Sequence, residues 1–460
     1  MTAEPSGMGT DQVWTMPELA AAGEAVMALR ALKLVAPAAA EAAATKLMIR
    51  RIVWVIDQSG AELELRLGGA GHDDRCDHHP TPGWGDRGCE RNRKLPRIDQ
   101  FVPSLSLHDA IGSHVLQLHK LIRDAGFDSD IFYEHLDPRL DEDVHPFSDA
   151  DRRADPERTI LYHASTDTEM NDWLITAGRA GQRIVVDYHN MTPDRYFSAW
   201  EPRAARSMQR GRRQLAELAP YVSGAVADSA YNCRELSEFG IEGAVTCPIL
   251  LDLEDYHRSP DPAALDRLSE GPPMWLFVGR LAPNKCQHDV LAAFAVYRAL
   301  YQPDARLALI GGATSLRYQS ELRFMAADLG VADAVDVGRS ASFTELLAHF
   351  RTAEVFVCLS EHEGFCVPVI EAMELGLPVV AYAAAAVTET VGDAGILLDD
   401  KDPLSVAMAV HGLVSDAGRR AELVHRGRTR ASQFAREVTA AKWLAELGRL
   451  AGRPLTTATA

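Results

Sequence analysis

The sequence lacks the features of a secreted or membrane-spanning protein. Only seven of its 460 residues are cysteines, an odd number, and they are scattered between Cys76 and Cys366. Such spacing argues against a disulfide framework. There is no apolar run of about 18 residues, the length that a transmembrane helix needs. The first residues, Met-Thr-Ala-Glu-Pro-Ser-Gly, also lack the charged and apolar regions of a signal peptide, so we expect a soluble cytoplasmic protein.

Basic residues are scarce as well. The 47 lysines and arginines face 65 aspartates and glutamates, which gives a formal net charge of −18. Because phosphate neutralisation needs a basic surface, this balance argues against a nucleic-acid partner. A local basic pocket for a phosphate-bearing small molecule stays compatible with it. The hydrophobic fraction of 47% is typical of a globular protein, and the length suggests two or three domains.

The first part of the chain shows little of the periodicity of packed elements. An alanine-rich stretch, 18–46, allows a helix but offers little burial, and 67–97 is rich in Gly, Asp, His, Arg and Pro. We therefore predict that 1–94 is a poorly ordered or peripheral N-terminal extension. Its cysteines have no CxxC partner, which argues against a zinc site formed by Cys76, Cys89, His72, His78 and His79.

From Ile98 onward, short apolar runs alternate with helical patterns. This alternation predicts parallel sheets covered by helices on both faces. The strands are too many for one sheet of ordinary width, so we predict an α/β protein with two doubly wound, Rossmann-like domains. The proline-rich segment 247–273 is the natural break between them. The predicted domains are 95–247 and 248–433, followed by a C-terminal helix within 434–460.

The segment 360–380 is the most informative part of the sequence. It follows an apolar strand, and Gly364 permits a tight turn before a helix in which Pro368 suits the first position. Such a strand-to-helix turn presents free backbone N–H groups, which bind anions. Glu363 on the loop and Glu371, expected in the first helical turn, are able to contact opposite ends of one ligand. Carboxylates suit sugar hydroxyls, and the N–H groups suit a phosphate.

A second apolar strand, 274–278, is followed by a glycine turn with Arg280 and Lys285 just beyond it. Ligands of doubly wound sheets bind at the carboxyl ends of the strands. Two cations at that position would neutralise a diphosphate, and an arginine binds one bidentately. The spacing differs from a Walker A loop, which needs Gly-Lys-Ser/Thr.

Together these motifs resemble the family-4 retaining glycosyltransferases of the GT-B fold. The resemblance rests on Gly-Arg-Leu-x3-Lys at 279–285, Leu-Ile-Gly-Gly at 309–312, and Glu-x7-Glu at 363–371 with its trailing Glu-Ala-Met-x2-Gly-x-Pro-Val. It is detailed over 274–400 and looser over the rest of 98–450. It implies a GT-B enzyme that transfers a hexose from a nucleotide sugar, with the final helix crossing back to the N-terminal domain.

The resemblance also implies roles for individual residues. Glu363 would contact the donor sugar, and Glu371 would hold the ribose of the nucleotide. Arg280 and Lys285 would bind the diphosphate and stabilise the leaving group. The backbone N–H groups of Gly364, Phe365 and Cys366 would cradle the sugar and phosphate.

In the N-terminal half the resemblance implies two further contacts. His189 ends a buried strand at the place where the family has a histidine facing the donor sugar; a purely structural histidine is the alternative. The family usually has a Gly-Gly pair after the first strand, and here only Gly112 remains, beside Asp109, as a candidate phosphate contact. His163, after another strand, is a candidate for the acceptor site.

The family is thought to react by front-face attack, in which the leaving phosphate accepts the proton of the acceptor. Such a site needs no metal and no cofactor other than the nucleotide sugar as co-substrate. The acceptor would be a glycan or a lipid-linked molecule of cell-envelope or exopolysaccharide synthesis. The alternatives are a glycoside hydrolase that uses Glu363 and Glu371, a GT-B epimerase or phosphorylase, and a non-catalytic nucleotide-sugar-binding protein.

Four arginines recur at three- and four-residue steps, on one face of a predicted helix: Arg203, Arg206, Arg210 and Arg213. A solvated face is one interpretation. The other is contact with an anionic acceptor or with the inner face of the membrane, since basic amphipathic helices bind acidic headgroups.

Overall fold

The computed structural model describes residues 96–106, 109–140, 143–153 and 155–452. The predictions made for 1–94 lie outside these residues. Two parallel β-sheets with helices on both faces make up the described chain, and both belong to one compact unit, Lys94–Ala460. The predicted α/β class with two Rossmann-like sheets is therefore confirmed.

The N-terminal sheet has seven strands in the order β3-β2-β1-β4-β5-β6-β7. Its strands are β1 Ile98–Leu105, β2 Ile131–Leu136, β3 His145–Pro146, β4 Thr159–Ala164, β5 Arg183–Tyr188, β6 Gly224–Ala227 and β7 Val245–Thr246. Every residue of β4 is buried, as expected for a central strand of a parallel sheet covered on both faces.

The C-terminal sheet has six strands in the order β10-β9-β8-β11-β12-β13. Its strands are β8 Met274–Val278, β9 Arg306–Ile310, β10 Val335–Arg339, β11 Val355–Cys358, β12 Val379–Tyr382 and β13 Ile396–Leu398. Successive residues of β11 belong to opposite faces of the sheet: Phe356 packs in one core and Val357 in the other. Strand β8 pairs with β11, so the loops that follow them lie side by side.

In the part of the chain that the structure describes, thirteen α-helices connect and cover the strands. They are α1 Ala110–Asp124, α2 Asn171–Arg179, α3 Pro202–Leu218, α4 Ala230–Glu238, α5 Pro262–Ser269, α6 Gln287–Leu300, α7 Leu316–Asp328, α8 Phe343–Thr352, α9 Val367–Glu374, α10 Val387–Val391, α11 Pro403–Ser415, α12 Ala417–Ser432 and α13 Arg436–Leu450. Short 3₁₀ helices include Leu253–His257 and Pro283–Lys285. Among the described residues, none of the helices has the length and apolarity needed to cross a membrane.

The last helix, α13, packs against the N-terminal sheet although it follows the C-terminal one. Its Trp443 is fully buried in a cluster that contains Ile98, Leu161 and Val226, from three strands of that sheet. The Trp443 indole donates a hydrogen bond of 2.8 Å to the carbonyl of Pro248, in the connection between the sheets. The crossing helix thus fixes the connecting segment against the N-terminal sheet.

Loops from the two sheets also contact each other directly at Gly364, which lies in the loop after β11. A Cβ added at Gly364 would lie 2.6 Å from Cβ of Asn190 and 3.2 Å from the carbonyl oxygen of His189, both after β5. Real side chains do not approach so closely, so only glycine allows the two loops to touch here. Nearby, the Glu389 carboxylate of α10 accepts hydrogen bonds of 2.9 and 2.7 Å from the N–H groups of Ala230 and Tyr231, at the start of α4.

This contact makes Gly364→Ala a test of the packing between the sheets. We expect the methyl group to displace one loop, which costs about 1–3 kcal/mol and lowers the midpoint of thermal unfolding by about 2–10 °C. Gly412→Ala is the matched control, because a Cβ at Gly412 in α11 would meet no atom within 4 Å. Its midpoint should stay constant or rise by up to about 4 °C. Equal midpoints for Gly364→Ala and the wild type would contradict the close approach.

Candidate active site

The loops after β8 and β11 bring a lysine and a glutamate together at the carboxyl edge of the C-terminal sheet. The ammonium of Lys285 lies 2.7 Å from Oε1 and 2.9 Å from Oε2 of Glu363. The two side chains are only 15% and 10% exposed. Burial disfavours the charged lysine, but the Glu363 charge outweighs it and raises the pKa of Lys285. Both predicted residues therefore occupy one charged, largely desolvated site.

Further hydrogen bonds join the loops after β8 and β11. The amide of Asn284 donates a bond of 3.0 Å to the carbonyl of His362, and the Glu361 N–H donates one of 2.9 Å to the Asn284 carbonyl. Behind them, the Lys401 ammonium lies 2.5 Å from both Asp289 and Glu361. The loop positions of Lys285 and Glu363 are thus set by neighbours on either side.

Arg280 lies in the turn that follows β8, beside the glycine pair 311–312 that follows β9. A Cβ at Gly311, whose φ is 143°, would lie 2.2 Å from the Gly279 carbonyl oxygen, so glycine lets the two turns touch. The Leu281 N–H donates a 2.8 Å bond to the Gly312 carbonyl. The Arg280 side chain is exposed and makes no hydrogen bond or ion pair within the described part of the chain. It is free to bind an anion.

Helix α9 starts one residue earlier than the sequence suggests. It begins at Val367, after Cys366 in the left-handed conformation with φ 74°, so Pro368 is its second residue and not its first. Glu371 consequently lies in the second turn, not in the first as predicted. The backbone N–H groups of Gly364, Phe365 and Cys366 make no hydrogen bond to any described residue. They remain available for an anionic ligand at the helix start.

Glu371 is buried at the same edge and bonds to a tyrosine that the sequence analysis missed. The hydroxyl of Tyr256, in the 3₁₀ helix Leu253–His257, donates a hydrogen bond to the Glu371 carboxylate. Burial raises the pKa of Glu371 to about 7, and the Tyr256 bond offsets only part of this effect. The pKa of Tyr256 is raised too, through burial and the adjacent carboxylate. The position of Tyr256 in a proline-rich connection gave no signal of this contact.

A second missed residue, His362, precedes Glu363. It is 3% exposed, and neither ring nitrogen has a hydrogen-bond partner among the described residues. Its ring lies 5.9 Å from the ring of Tyr196 and 5.8 Å from that of Tyr231, both from the N-terminal half. Burial lowers the pKa of His362 to about 4, so the ring is neutral near pH 7. It offers one donor and one acceptor to a ligand between the sheets.

No hydrogen bond or ion pair within the described part of the chain joins the predicted residues of the N-terminal half to this charged pair. The His189 side chain is fully buried, with Nδ1 3.2 Å from both Asp228 oxygens and Nε2 3.1 Å from Asp187 Oδ2. Burial disfavours the imidazolium, but the Asp187 and Asp228 charges raise the pKa of His189 well above its usual value. A contact between this ring and a donor sugar stays a prediction.

Gly112 is the third residue of α1. A Cβ there would lie 2.4 Å from the Ser106 carbonyl oxygen, so glycine allows the helix start to pack on the loop after β1. Residues 107 and 108 of that loop lie outside the described part of the chain. A phosphate contact at Gly112 stays a prediction.

The four arginines of α3 are exposed, as an external face requires. Two of them have acidic partners: Arg210 pairs with Asp167, and Arg213 lies 3.8 Å from Glu217. Contact of this face with a membrane or an anionic acceptor stays a prediction.

Comparisons with known proteins agree with this geometry. Residues 266–430 match the family described as Glycosyl transferases group 1. A D-inositol 3-phosphate glycosyltransferase of Acidothermus cellulolyticus is 36% identical over 35% of this chain and 37% of its own length. The GDP-mannose-dependent alpha-(1-6)-phosphatidylinositol monomannoside mannosyltransferase of Mycolicibacterium smegmatis is 34% identical over 42% of this chain and 53% of its own. The chain thus spans about half, or less, of the length of these relatives.

The fold is shared with a solved structure over a longer range. Alr3699/HepE of Anabaena, solved in complex with UDP and glucose, superposes with a TM-score of 0.60. The superposition covers 77% of this chain and 100% of that one at 18% identity, a level that compares folds only. The two parallel sheets have the predicted GT-B fold, and residues 266–430, which carry Arg280, Lys285, Glu363 and Glu371, match the glycosyl transferases group 1 family.

Proposed function

We propose that the chain is a retaining glycosyltransferase that moves a hexose from a nucleotide-diphosphate sugar to a glycan or lipid-linked acceptor. The observation that carries this proposal is the Lys285–Glu363 pair beside the unbonded N–H groups of 364–366. A lysine, a nearby exposed arginine and a helix start together suit a diphosphate, and a carboxylate suits the hydroxyls of the attached sugar.

In this proposal the site works by stabilising the leaving group. As the bond between sugar and phosphate breaks, negative charge grows on the diphosphate. Lys285, Arg280 and the N–H groups at the start of α9 stabilise that charge in a poorly solvated site. Glu363 holds the sugar, and the departing phosphate takes the proton of the acceptor hydroxyl. No described carboxylate has to become a covalent nucleophile in this scheme, and the anomeric configuration is retained.

The nucleoside end of the donor is assigned to Glu371 and Tyr256. An ionised Glu371 accepts hydrogen bonds from the two ribose hydroxyls, while Tyr256 orients the carboxylate. This places the two glutamates at opposite ends of one donor, as the sequence motif suggests. No part of the scheme requires a metal at the donor site.

The class of acceptor is proposed only from the names of the relatives. The two relatives named above are, by name, enzymes of inositol phosphate and of a phosphatidylinositol mannoside. A phosphorylated or lipid-linked polyol is therefore the first class of acceptor to test, in the context of cell-envelope or exopolysaccharide synthesis. Since the family match begins at 266, the acceptor side, formed by the N-terminal sheet, has to be established by experiment.

Glu363→Gln tests the assignment of the donor sugar. A thermal-shift screen of UDP-, GDP- and ADP-sugars identifies the donor, and sugar transfer is then followed by NMR, which also reports the anomeric configuration. We expect Glu363→Gln to lower kcat by about 10²–10³-fold, because it removes a charge that acts in the transition state. Binding of the free nucleotide should change little.

Glu374→Gln is the matched control, because Glu374 lies on the same helix and bonds to His257, outside the two loops. It should keep wild-type turnover. Transfer by Glu363→Gln at the wild-type rate, with nucleotide binding intact, would refute the role of Glu363. Sugar release without an acceptor or nucleotide would instead indicate a hydrolase, and stabilisation without turnover a binding protein.

The raised pKa of Glu371 predicts a pH dependence of donor binding. Ribose hydroxyls donate to the ionised carboxylate, so binding competes with the proton that Glu371 holds below pH 7. From a pKa of about 7, the Kd of the nucleotide sugar should fall about tenfold between pH 6 and pH 8. Isothermal titration calorimetry measures this, and the sugar diphosphate itself does not titrate in that range.

Glu371→Gln should bind more weakly and lose this part of the pH dependence, since the amide has no proton to release. A wild-type Kd that is constant from pH 6 to pH 8, or a dependence that survives in Glu371→Gln, would contradict the assignment of the ribose to Glu371.

A further inference from the structure

A buried cluster of histidines and aspartates in the N-terminal sheet has no role in the scheme above. Three ligand atoms meet there: His163 Nδ1, after the middle of β4, and Asp187 Oδ2 and His189 Nε2, at the end of β5. Their mutual distances are 3.0 Å between the histidines, 3.0 Å from His163 to Asp187 and 3.1 Å from His189 to Asp187. All three side chains are fully buried.

The outer nitrogens of both histidines are committed as hydrogen-bond donors. His163 Nε2 lies 2.9 Å from the Gln100 amide oxygen, and Gln100 Nε2 donates to the Val115 carbonyl, which fixes the orientation of the amide. His189 Nδ1 lies 3.2 Å from each Asp228 oxygen. A neutral imidazole has one donor and one acceptor nitrogen. With the outer nitrogens as donors, an ion that replaces the second proton of His189 would meet the lone pairs of both inner nitrogens, which lie beside a carboxylate oxygen.

A fourth member, His114, closes the cluster from α1. Its Nδ1 accepts a 2.9 Å hydrogen bond from the Leu250 N–H, so its Nε2 carries the ring proton. That nitrogen lies 3.2 Å from Asp187 Oδ2 and donates to it. His114 thus supports the carboxylate and is not itself a ligand. The other oxygen, Asp187 Oδ1, is buried without a hydrogen-bond partner among the described residues.

We propose that His163, His189 and Asp187 bind one divalent transition-metal ion, for which Zn²⁺ is the best match. Metal–ligand bonds of about 2.0–2.1 Å in a tetrahedron place the ligand atoms about 3.3 Å apart, a few tenths of an ångström from the distances seen here. Asp187 Oδ1, on the same carboxylate, would complete a bidentate contact at the corner held by Oδ2. Histidine ligands typically donate their other N–H to a carboxylate or carbonyl oxygen, as both do here to Asp228 and Gln100.

Charge also favours this cluster over two other groups of possible metal ligands in the described residues. No described lysine or arginine bonds to the buried carboxylates Asp187 and Asp228, whose ion-pair partners are histidines of the cluster, so a divalent cation would replace a histidine proton as their counter-charge. In the group Cys286, His288 and Asp289, the Lys401 ammonium already binds the aspartate. In the group Cys358, Glu363 and Cys366, Lys285 binds the glutamate.

The ion would act as a structural element. It would be held by fully buried side chains, and it would tie the carboxyl ends of β4 and β5 together. Through His114 and the Leu250 N–H, this tie extends to the connection between the two sheets. Trp443 of the crossing helix covers His114, with ring centroids 5.0 Å apart.

Metal titration of the full chain tests the proposal. The purified protein is stripped with a chelator and titrated with Co²⁺, whose visible absorption reports its ligands, and then with Zn²⁺. We expect one ion per chain and a rise of the unfolding midpoint by about 5–10 °C at a hundredfold excess over Kd. His163→Gln and Asp187→Asn should weaken Co²⁺ binding at least tenfold, and Gln100→Ala about 10–100-fold.

Two controls separate this site from other metal ligands of the chain. His349→Gln removes another buried histidine, which bonds to the Glu345 carbonyl, and should bind Co²⁺ as the wild type does. Cys76→Ser with Cys89→Ser removes the cysteines of the N-terminal extension and should also keep binding. A wild-type chain that binds neither ion at micromolar concentration would overturn the proposal and leave His189 with a proton instead. Binding that survives in both His163→Gln and Asp187→Asn, or that is lost in the cysteine variant, would overturn it too.

Discussion

The buried ion pair between Lys285 and Glu363 is the interaction on which the candidate site depends. Each charge alone would be costly in so little solvent, and removing one partner of a buried pair typically costs about 3–5 kcal/mol. The pair therefore holds the loops after β8 and β11 together while no ligand is bound. A diphosphate can replace the carboxylate as the partner of the lysine, and sugar hydroxyls can replace the lysine as the partner of Glu363. In the proposed function, the same two charges stabilise the empty site and recognise the donor.

Residues of the N-terminal half contact the loop that carries Glu363. Gly364 lets the His189–Asn190 backbone touch the Glu363 loop, and Glu389 caps helix α4 across the same boundary. His362 lies between two tyrosines of the N-terminal half, and neither of its ring nitrogens has a hydrogen-bond partner in the described ranges of the chain. A ligand between the sheets would meet groups from both of them. The crossing helix, through Trp443 and Pro248, keeps the connecting segment in place while these surfaces meet.

The sequence predicts the C-terminal part of the site well because the signal there is local. Strand β8 has the predicted limits, and Glu363, Lys285 and Glu371 lie within short motifs at strand ends. The short strands β3, β7 and β13 escaped prediction, since two or three residues carry no periodicity. Helix α9 begins one residue earlier than predicted, directly after Cys366, whose left-handed conformation is unusual for a residue other than glycine and gave no sequence signal. Tyr256 could not be found, because its bond to Glu371 joins residues 115 positions apart.

Part of the histidine cluster could have been predicted from polar residues in buried strands. A search for apolar periodicity alone overlooks them. His163 and Asp187 sit in strands in which nearly every residue is buried, so each had to find a polar partner inside the protein. Strands β4 and β5 are adjacent in the sheet, and the pairing places His163 opposite Asp187. A polar residue near the carboxyl end of each of two buried neighbouring strands therefore predicts a contact between them. The sequence does not predict that Gln100, His114 and Asp228 complete the cluster. Their contacts depend on which helix and which loop cover the ends of β4 and β5.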